Sequence, residues 1–308
     1  MGLVLSTSWN AFRHKSGHKI ASEIQSLGFK ELELSFNLTS SMVEEVRDLV
    51  CSGGIKVASS HNFCPIPEEA PSREEALPDY YSMSSLDQGE RERAVAQTKK
   101  SIDAAAALGA RAVVLHCGRV EISDRTKELM QLYAKGLKGS GEFKSIRSGL
   151  VRERQSKVKP FLNNTLKSLD ELNAYAAEKR VSLGIENRVY YREIPSLDEI
   201  GLILKMLRGG SLFYWHDTGH AQIMENLGFA QAKSYLDLYA KDMLGIHLHD
   251  LSGCDDHMAP GSGDFDFTQL PRYVKQETIK VIEAHEPATP DEIKKSKKYL
   301  ESLFDEKL

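Results

Sequence analysis

"VSLGIENRVYYREIPSLDEIGLILKMLRGGSLFYWHDTGH", residues 181–220, contains two short apolar, β-branched runs on either side of a segment of helical period. The runs Val181 to Asn187 and Ser211 to Asp217 have the length and composition of strands. Between them, "SLDEIGLILKML" begins with Ser196 three residues before Glu199, the pattern of a capping box at a helix start. Strand, helix and strand in this compass make a βαβ unit, whose two strands pair in parallel.

The same alternation continues in both directions. Toward the N-terminus lie the strand-like runs Leu3 to Ser8, Glu31 to Ser35, Ile55 to Asn62 and Arg111 to Cys117; toward the C-terminus lie Leu244 to Asp250 and Ile279 to His285. Helical segments separate them, among them "ERERAVAQTKKSIDAAAALGA", which ends at a glycine suited to a C-cap, and "TPDEIKKSKKYLESLF" near the end of the chain. Eight strands, each followed by helix, predict an α/β fold of the (β/α)8 TIM-barrel type. An open doubly wound sheet is disfavoured because no Gly-rich phosphate turn follows the first strand. Residues 1–308 then form a single barrel domain, with long loops near 63–86, 118–159 and 251–267 that all follow strands and crowd the C-terminal mouth.

A hydrophobic content of 41% with 27% charged residues is that of a globular chain with a full core, and no apolar stretch is long enough to span a membrane. Four cysteines stand far apart without a CxxC pair, which predicts reduced thiols and a cytoplasmic location. "MGLVLS" formally matches a myristoylation pattern, but the same residues begin the first strand, so no lipid anchor is expected. No secretory leader pattern is seen either. The net charge of −4 offers nothing general to nucleic acid. One local exception is Arg125 to Lys159, where ten Lys or Arg far outnumber the acidic residues, as on a solvated helical face. The loop "NFCPIPEEAPSREEALPDYYSM" has the opposite bias and would repel a phosphate backbone.

Metal-ligand residue types recur at the C-terminal ends of the expected strands: His61, His116, Glu186, Asp217, His247 and Glu283. A barrel gathers such ends into one ring. Glutamates among apolar strand residues need a partner when buried, and a divalent cation supplies one. The mixture of carboxylate and imidazole suits Zn²⁺ or Mn²⁺ better than Ca²⁺. His247 and His249 share one face of a strand, His249 as ligand, support or substrate contact; Asp217 and His220 have a chelating spacing, and Asp255 and His257 are candidates for a further ion. Arg188 and the basic segment are candidates for holding a substrate phosphate or carboxylate. Trp9, Asn10, Asn62 and Trp215 are candidates to line the pocket.

The set "GIEN", "HDTGH", "IHLHD", "DDH", "GSGDFDF" and "VIEAHE" resembles the xylose-isomerase-like TIM-barrel superfamily over nearly the whole chain. That group includes sugar isomerases and epimerases and the apurinic endonuclease IV type of repair enzyme. From the epimerase branch, the resemblance implies one divalent metal on Glu186, Asp217, His247 and Glu283. The same resemblance implies that the two glutamates act as base and acid through a metal-stabilised enediolate and that His220 touches a sugar-like substrate. From the endonuclease branch it implies up to three ions, adding His61, His116, His220, Asp255 and His257, and phosphodiester hydrolysis at abasic DNA. The acidic balance and the acidic mouth loop favour a small sugar, sugar phosphate or polyol over nucleic acid.

Overall fold

The computed structural model describes residues 2–75 and 77–305. The expected runs form β1 (Leu3–Ser6), β2 (Glu31–Leu34), β3 (Lys56–His61), β4 (Ala112–Leu115), β5 (Ser182–Glu186), β6 (Leu212–Asp217) and β7 (Met243–Leu248). A small antiparallel pair, β8 (Asp250–Ser252) and β9 (Asp255–Met258), precedes the last barrel strand, β10 (Ile279–Ile282). All eight barrel strands pair in parallel and close in the order β1-β10-β7-β6-β5-β4-β3-β2. This closed (β/α)8 cylinder is the expected fold. Met1, the first residue of the myristoylation-like stretch, lies outside the described residues.

Helices α1 (Gly17–Ser26), α2 (Ser40–Cys51) and α3 (Gln88–Ala107) cover the first strands. They are followed by α4 (Thr126–Ala134), α5 (Gly141–Lys179), α6 (Leu197–Met206), α7 (Thr218–Asn226), α8 (Ala232–Tyr239) and α9 (Pro290–Asp305). At α6, the Glu199 side chain accepts from the Ser196 N–H at 2.8 Å and completes the capping box. Gly109, after α3, takes φ +68°, the left-handed conformation that glycine adopts without a Cβ clash. No helix among the described residues is long and apolar enough to cross a membrane.

The expected loop at 118–159 is largely helix, formed by α4 and the first half of the 39-residue α5. Its dense charge hides an apolar stripe, Phe143, Ile146 and Leu150, which the structure buries at spacings of three and four. Pro160, which cannot donate a backbone hydrogen bond, sits inside α5. The 251–267 segment likewise contains the β8–β9 hairpin.

Inside the cylinder, Val4, Ala58, Ala112, Val114, Ile279 and Val281 pack around Trp215. This indole is the largest body there, and its neighbouring strands leave room for it. A Cβ at Gly184 would lie 2.8 Å from the Trp215 ring, and one at Gly245 only 2.2 Å. Trp215 is therefore a buried plug, not a wall of the cavity, and its ring meets His247 edge-on at 5.1 Å between centroids. The site rests on this plug.

Candidate functional site

Glu186 ends β5, Asp217 ends β6, His247 lies in β7 and Glu283 directly follows β10. Parallel registry sets Asp217 opposite His247 and His247 opposite Val281, so the four groups lie along one arc of the barrel. His247 Nδ1 is 2.7 Å from Glu186 Oε1, 2.9 Å from Glu283 Oε2 and 3.7 Å from Asp217 Oδ2. All four are buried, and one donor atom from each falls within 4.8 Å of the others. Three carboxylates around one imidazole leave excess negative charge in a desolvated space. This donor set fits a divalent cation of the zinc or manganese kind.

Burial opposes charge on His247, but Glu283, Glu33 and Glu186 hold its pKa well above the ordinary imidazole value. Burial likewise opposes ionisation of Glu186, and the Arg188, His116 and His247 groups outweigh it, keeping the carboxyl well below its usual range. Asp217 and Glu283 are depressed in the same way by their histidine neighbours.

A second group of donors, His61, His116 and Glu186, also converges within 4.8 Å. His116 Nε2 stands 3.1 Å from Glu186 Oε2, with Nδ1 3.1 Å from Asp79 Oδ1. The Arg188 guanidinium contacts that same Glu186 Oε2 and reaches Glu193 at 3.2 Å. Burial, with His116 close by, pushes the pKa of His61 down to about 4, so this ring is neutral near pH 7.

His220 Nδ1 meets the Asn187 carbonyl oxygen at 3.1 Å, and its ring lies on the cavity side. His249 is placed differently. The His257 backbone N–H donates to His249 Nδ1 at 2.9 Å, and His249 Nε2 stands 2.9 Å from Asp217 Oδ1. With Nδ1 accepting from that N–H, Nε2 carries the proton that is donated to Asp217, and the Asp217 carboxylate outweighs burial in pushing the His249 pKa up. His249 thus supports a metal-ligand candidate and links it to the mouth loop.

Asp250, the next residue, organises that loop. Its carboxylate accepts four backbone N–H groups, from Leu251, Gly261, Gly263 and Phe265, each at 2.9 Å. Gly263 has to lack a side chain, since a Cβ would fall 2.4 Å from the Leu251 carbonyl oxygen. Gly261 sits at φ +90°, backbone suited to glycine.

The expectation for Asp255 is corrected by this loop. His257 adopts φ +58°, which breaks the alternation that would have set Asp255 and His257 on one face. Asp255 is exposed; Asp256 takes its place, 3.0 Å from His257 Nδ1 and on the cavity wall. His257 stacks between His249 and His285, with ring centroids 4.2 and 3.9 Å away.

These groups surround a cavity of about 500 Å³ at the C-terminal mouth, with His61, His116, Glu186, Arg188, His220, His257 and Glu283 in its wall. Trp9 does not reach it: the ring is buried and its indole N–H donates to the Ala288 carbonyl oxygen at 2.8 Å. Asn62 is buried too, donating to Thr98 at 3.0 Å, and Asn10 donates to Ile20 and Glu23. Of the basic segment, Lys127 lines the cavity, whereas Arg154 forms a buried pair with Glu199 at 2.7 Å. Arg188 is held by two glutamates, which leaves less of its charge for a substrate anion.

The sequence reading passed over Glu33, Asp79, Glu193, Asp256 and His285. Glu33 is fully buried on β2 and lies 3.1 Å from His247 Nε2, with Ser59 donating to it at 2.7 Å. Its signal was present: in "ELEL" it stands between two leucines, as Glu283 stands between Ile282 and Ala284.

A family model described as a xylose isomerase-like TIM barrel matches residues 21–303. An uncharacterized protein of Sinorhizobium fredii is 24% identical over 249 residues, covering 78% of this chain and 69% of that protein. An uncharacterized protein of Methanocaldococcus jannaschii is 30% identical over 132 residues, 42% of this chain and 49% of its own length. Among solved structures, a 3-keto-D-glucoside 4-epimerase from E. coli superposes with TM-score 0.69 at 15% identity, covering 98% of this chain and 99% of that one. A D-psicose 3-epimerase from Clostridium cellulolyticum gives TM-score 0.68 at 12% identity, with 99% of each chain covered. At these identities the superpositions speak to the fold.

Proposed function

Because this chain belongs to the xylose isomerase-like TIM-barrel family, we propose that it is a divalent-metal-dependent isomerase or epimerase of a sugar, sugar phosphate or related polyol. The observation that carries the proposal is the arc of four buried donors, Glu186, Asp217, His247 and Glu283, beneath an open cavity. Similarity in fold to sugar epimerases supports the same reading.

A divalent cation held by those four groups supplies the positive charge that makes a C–H beside a carbonyl acidic. The protein's own part is to orient the sugar and move one proton. Glu186 and Glu283 come from the two ends of the strand arc β10-β7-β6-β5, and both line the cavity. One accepts the proton from carbon, and the other returns one to the opposite face or the adjacent carbon. Arg188 and His116 favour the ionised form of Glu186, the state a base requires. His220, with its Nδ1 beside the Asn187 carbonyl, is positioned to orient a hydroxyl.

Phosphodiester hydrolysis is a weaker reading. The His61, His116 and Glu186 group favours it, since clustered ions are what that chemistry needs. Against it, Arg188 contacts the Glu186 oxygen that a second ion would take, and the basic segment folds into helices that bring Lys127 to the cavity and pair Arg154 with Glu199.

Incubation of the metal-loaded protein with ketoses and polyol-derived ketones in D2O tests the proposal. Solvent deuterium is expected at carbon, with exchange falling by about two to four orders of magnitude in Glu186→Gln or Glu283→Gln. Undiminished exchange in both variants, or nicking of abasic DNA in place of exchange, overturns it.

A further inference from the structure

The cavity is polar below, and at its mouth a set of apolar groups stands beside the polar His116, Lys127, Gln131, Asp256, His257 and His285. Its deep residues His61, Glu186, His220 and Glu283 are buried, whereas Phe36, Pro78, Met130, Tyr190 and Cys254 line the same space half-exposed. These apolar groups come from five separate segments: after β2, before α3, on α4, after β5 and within the β8–β9 turn. Converging apolar groups left partly open at a concave mouth mark a surface that a ligand covers. A free monosaccharide carries hydroxyls on every side and matches the deep part better than this rim.

Size points the same way. At about 30 Å³ or less per heavy atom, the share of a water in the liquid, the roughly twelve heavy atoms of a hexose fill at most about 360 Å³, so about 140 Å³ of the 500 Å³ cavity is left over. By the same share a six-carbon ring needs up to about 180 Å³, so it fills that remainder and extends to the half-exposed rim. Helix α4 adds to the rim a polar pair, Lys127 and Gln131, on the same helical face as Met130, which can bond the substituent's linking oxygen without making the wall polar throughout.

We infer that this rim is a subsite for an apolar, ring-bearing aglycone, so that the substrate is a keto-glycoside and not a free sugar; the inference rests on the isomerase or epimerase reading above. Glycosidic substitution locks the anomeric carbon, and the carbonyl that acidifies the C–H must then sit elsewhere on the sugar ring. The proton leaves the carbon beside that ring carbonyl for a glutamate carboxylate. The C–H electron pair moves into the carbonyl system, and a proton returned to carbon restores the ketone, so nothing is oxidised or lost. The glycosidic bond stays intact.

The test compares a free ketohexose with the methyl and phenyl glycosides of one keto-hexose on the Mn²⁺-loaded protein. Deuterium exchange is measured in D2O, and binding by calorimetry. The phenyl glycoside is expected to exceed the methyl glycoside in kcat/KM and in affinity by roughly ten- to a hundredfold, the range that burial of an aromatic ring gives. Tyr190→Ala and Met130→Ala are expected to narrow that ratio severalfold. Exchange without a phenyl preference, or with the free ketose fastest, overturns the subsite and leaves the isomerase reading standing. Tight phenyl glycoside binding without exchange keeps the subsite and overturns the isomerase reading; neither binding nor exchange overturns both.

Discussion

Glu33→Gln removes one buried negative charge from beneath His247 while leaving the shape of the site unchanged. The glutamine carbonyl oxygen can still accept from His247 Nε2, where Glu33 now stands at 3.1 Å, and Ser59 can turn to accept from the new amide in place of donating at 2.7 Å. Only the charge is lost, and it acts through the imidazole on whatever Nδ1 binds. Removing such a supporting partner weakens metal affinity by about ten- to a hundredfold, or about 1.4 to 2.8 kcal/mol. Because both hydrogen bonds survive, Glu33→Gln is expected near the lower end. Glu33→Leu also leaves the ring N–H and the Ser59 hydroxyl unpaired in a dry space, and belongs at the upper end or beyond. Calorimetric titration of the metal-free protein with Zn²⁺ or Mn²⁺ measures the effect. If Glu33→Leu binds either ion within twofold of the parent protein, the link from Glu33 through His247 to the ion is refuted.

Burial depresses the pKa of His61 and of His216 to about 4, against an unfolded value near 6.5. Each holds fewer protons folded than unfolded, so the stability it contributes is present above pH 6.5 and is lost as the pH falls toward 4. Each contributes about 3 kcal/mol at most, and urea unfolding of the metal-free protein should show the decline in that window; a flat profile from pH 6.5 to 4 contradicts it. Asp250→Asn leaves loop amides without an anionic acceptor and should lower stability by at least about 2 kcal/mol, with new protease cleavage between residues 251 and 265; intact protection would refute the clamp. Gly245→Ala drives a methyl into Trp215 and should cost about 1 to 3 kcal/mol, recovered in part when Trp215→Leu is added; equal melting temperatures for Gly245→Ala and the parent contradict the plug.

The barrel was legible because eight short strands repeat the same period, and because a closed cylinder is the arrangement that brings His61, Glu186, Asp217 and Glu283 to one end. What the sequence hid is mostly what tertiary packing decides. Charge along Arg125 to Lys159 masked the apolar stripe of α5, since a helix with one narrow buried face looks polar on average. The pairing of Asp255 with His257 assumed regular extended backbone, and the left-handed turn at His257 replaced Asp255 by Asp256. Trp9 and Trp215 illustrate the same limit, because an aromatic at a strand end reads alike whether it fills the core or faces a ligand. Glu33 was missed for a different reason: its neighbour Glu31 sits at the rim of the barrel bottom, and two glutamates in alternation look like a solvated edge.

The most direct measurement is anomalous diffraction from crystals of the protein grown with Mn²⁺ or Zn²⁺. The account predicts one strong peak bonded to Glu186, Asp217, His247 and Glu283 at about 2.0 to 2.2 Å, and its loss in His247→Ala. A peak elsewhere in the barrel, or four side chains sharing no ion at saturating metal, would contradict it.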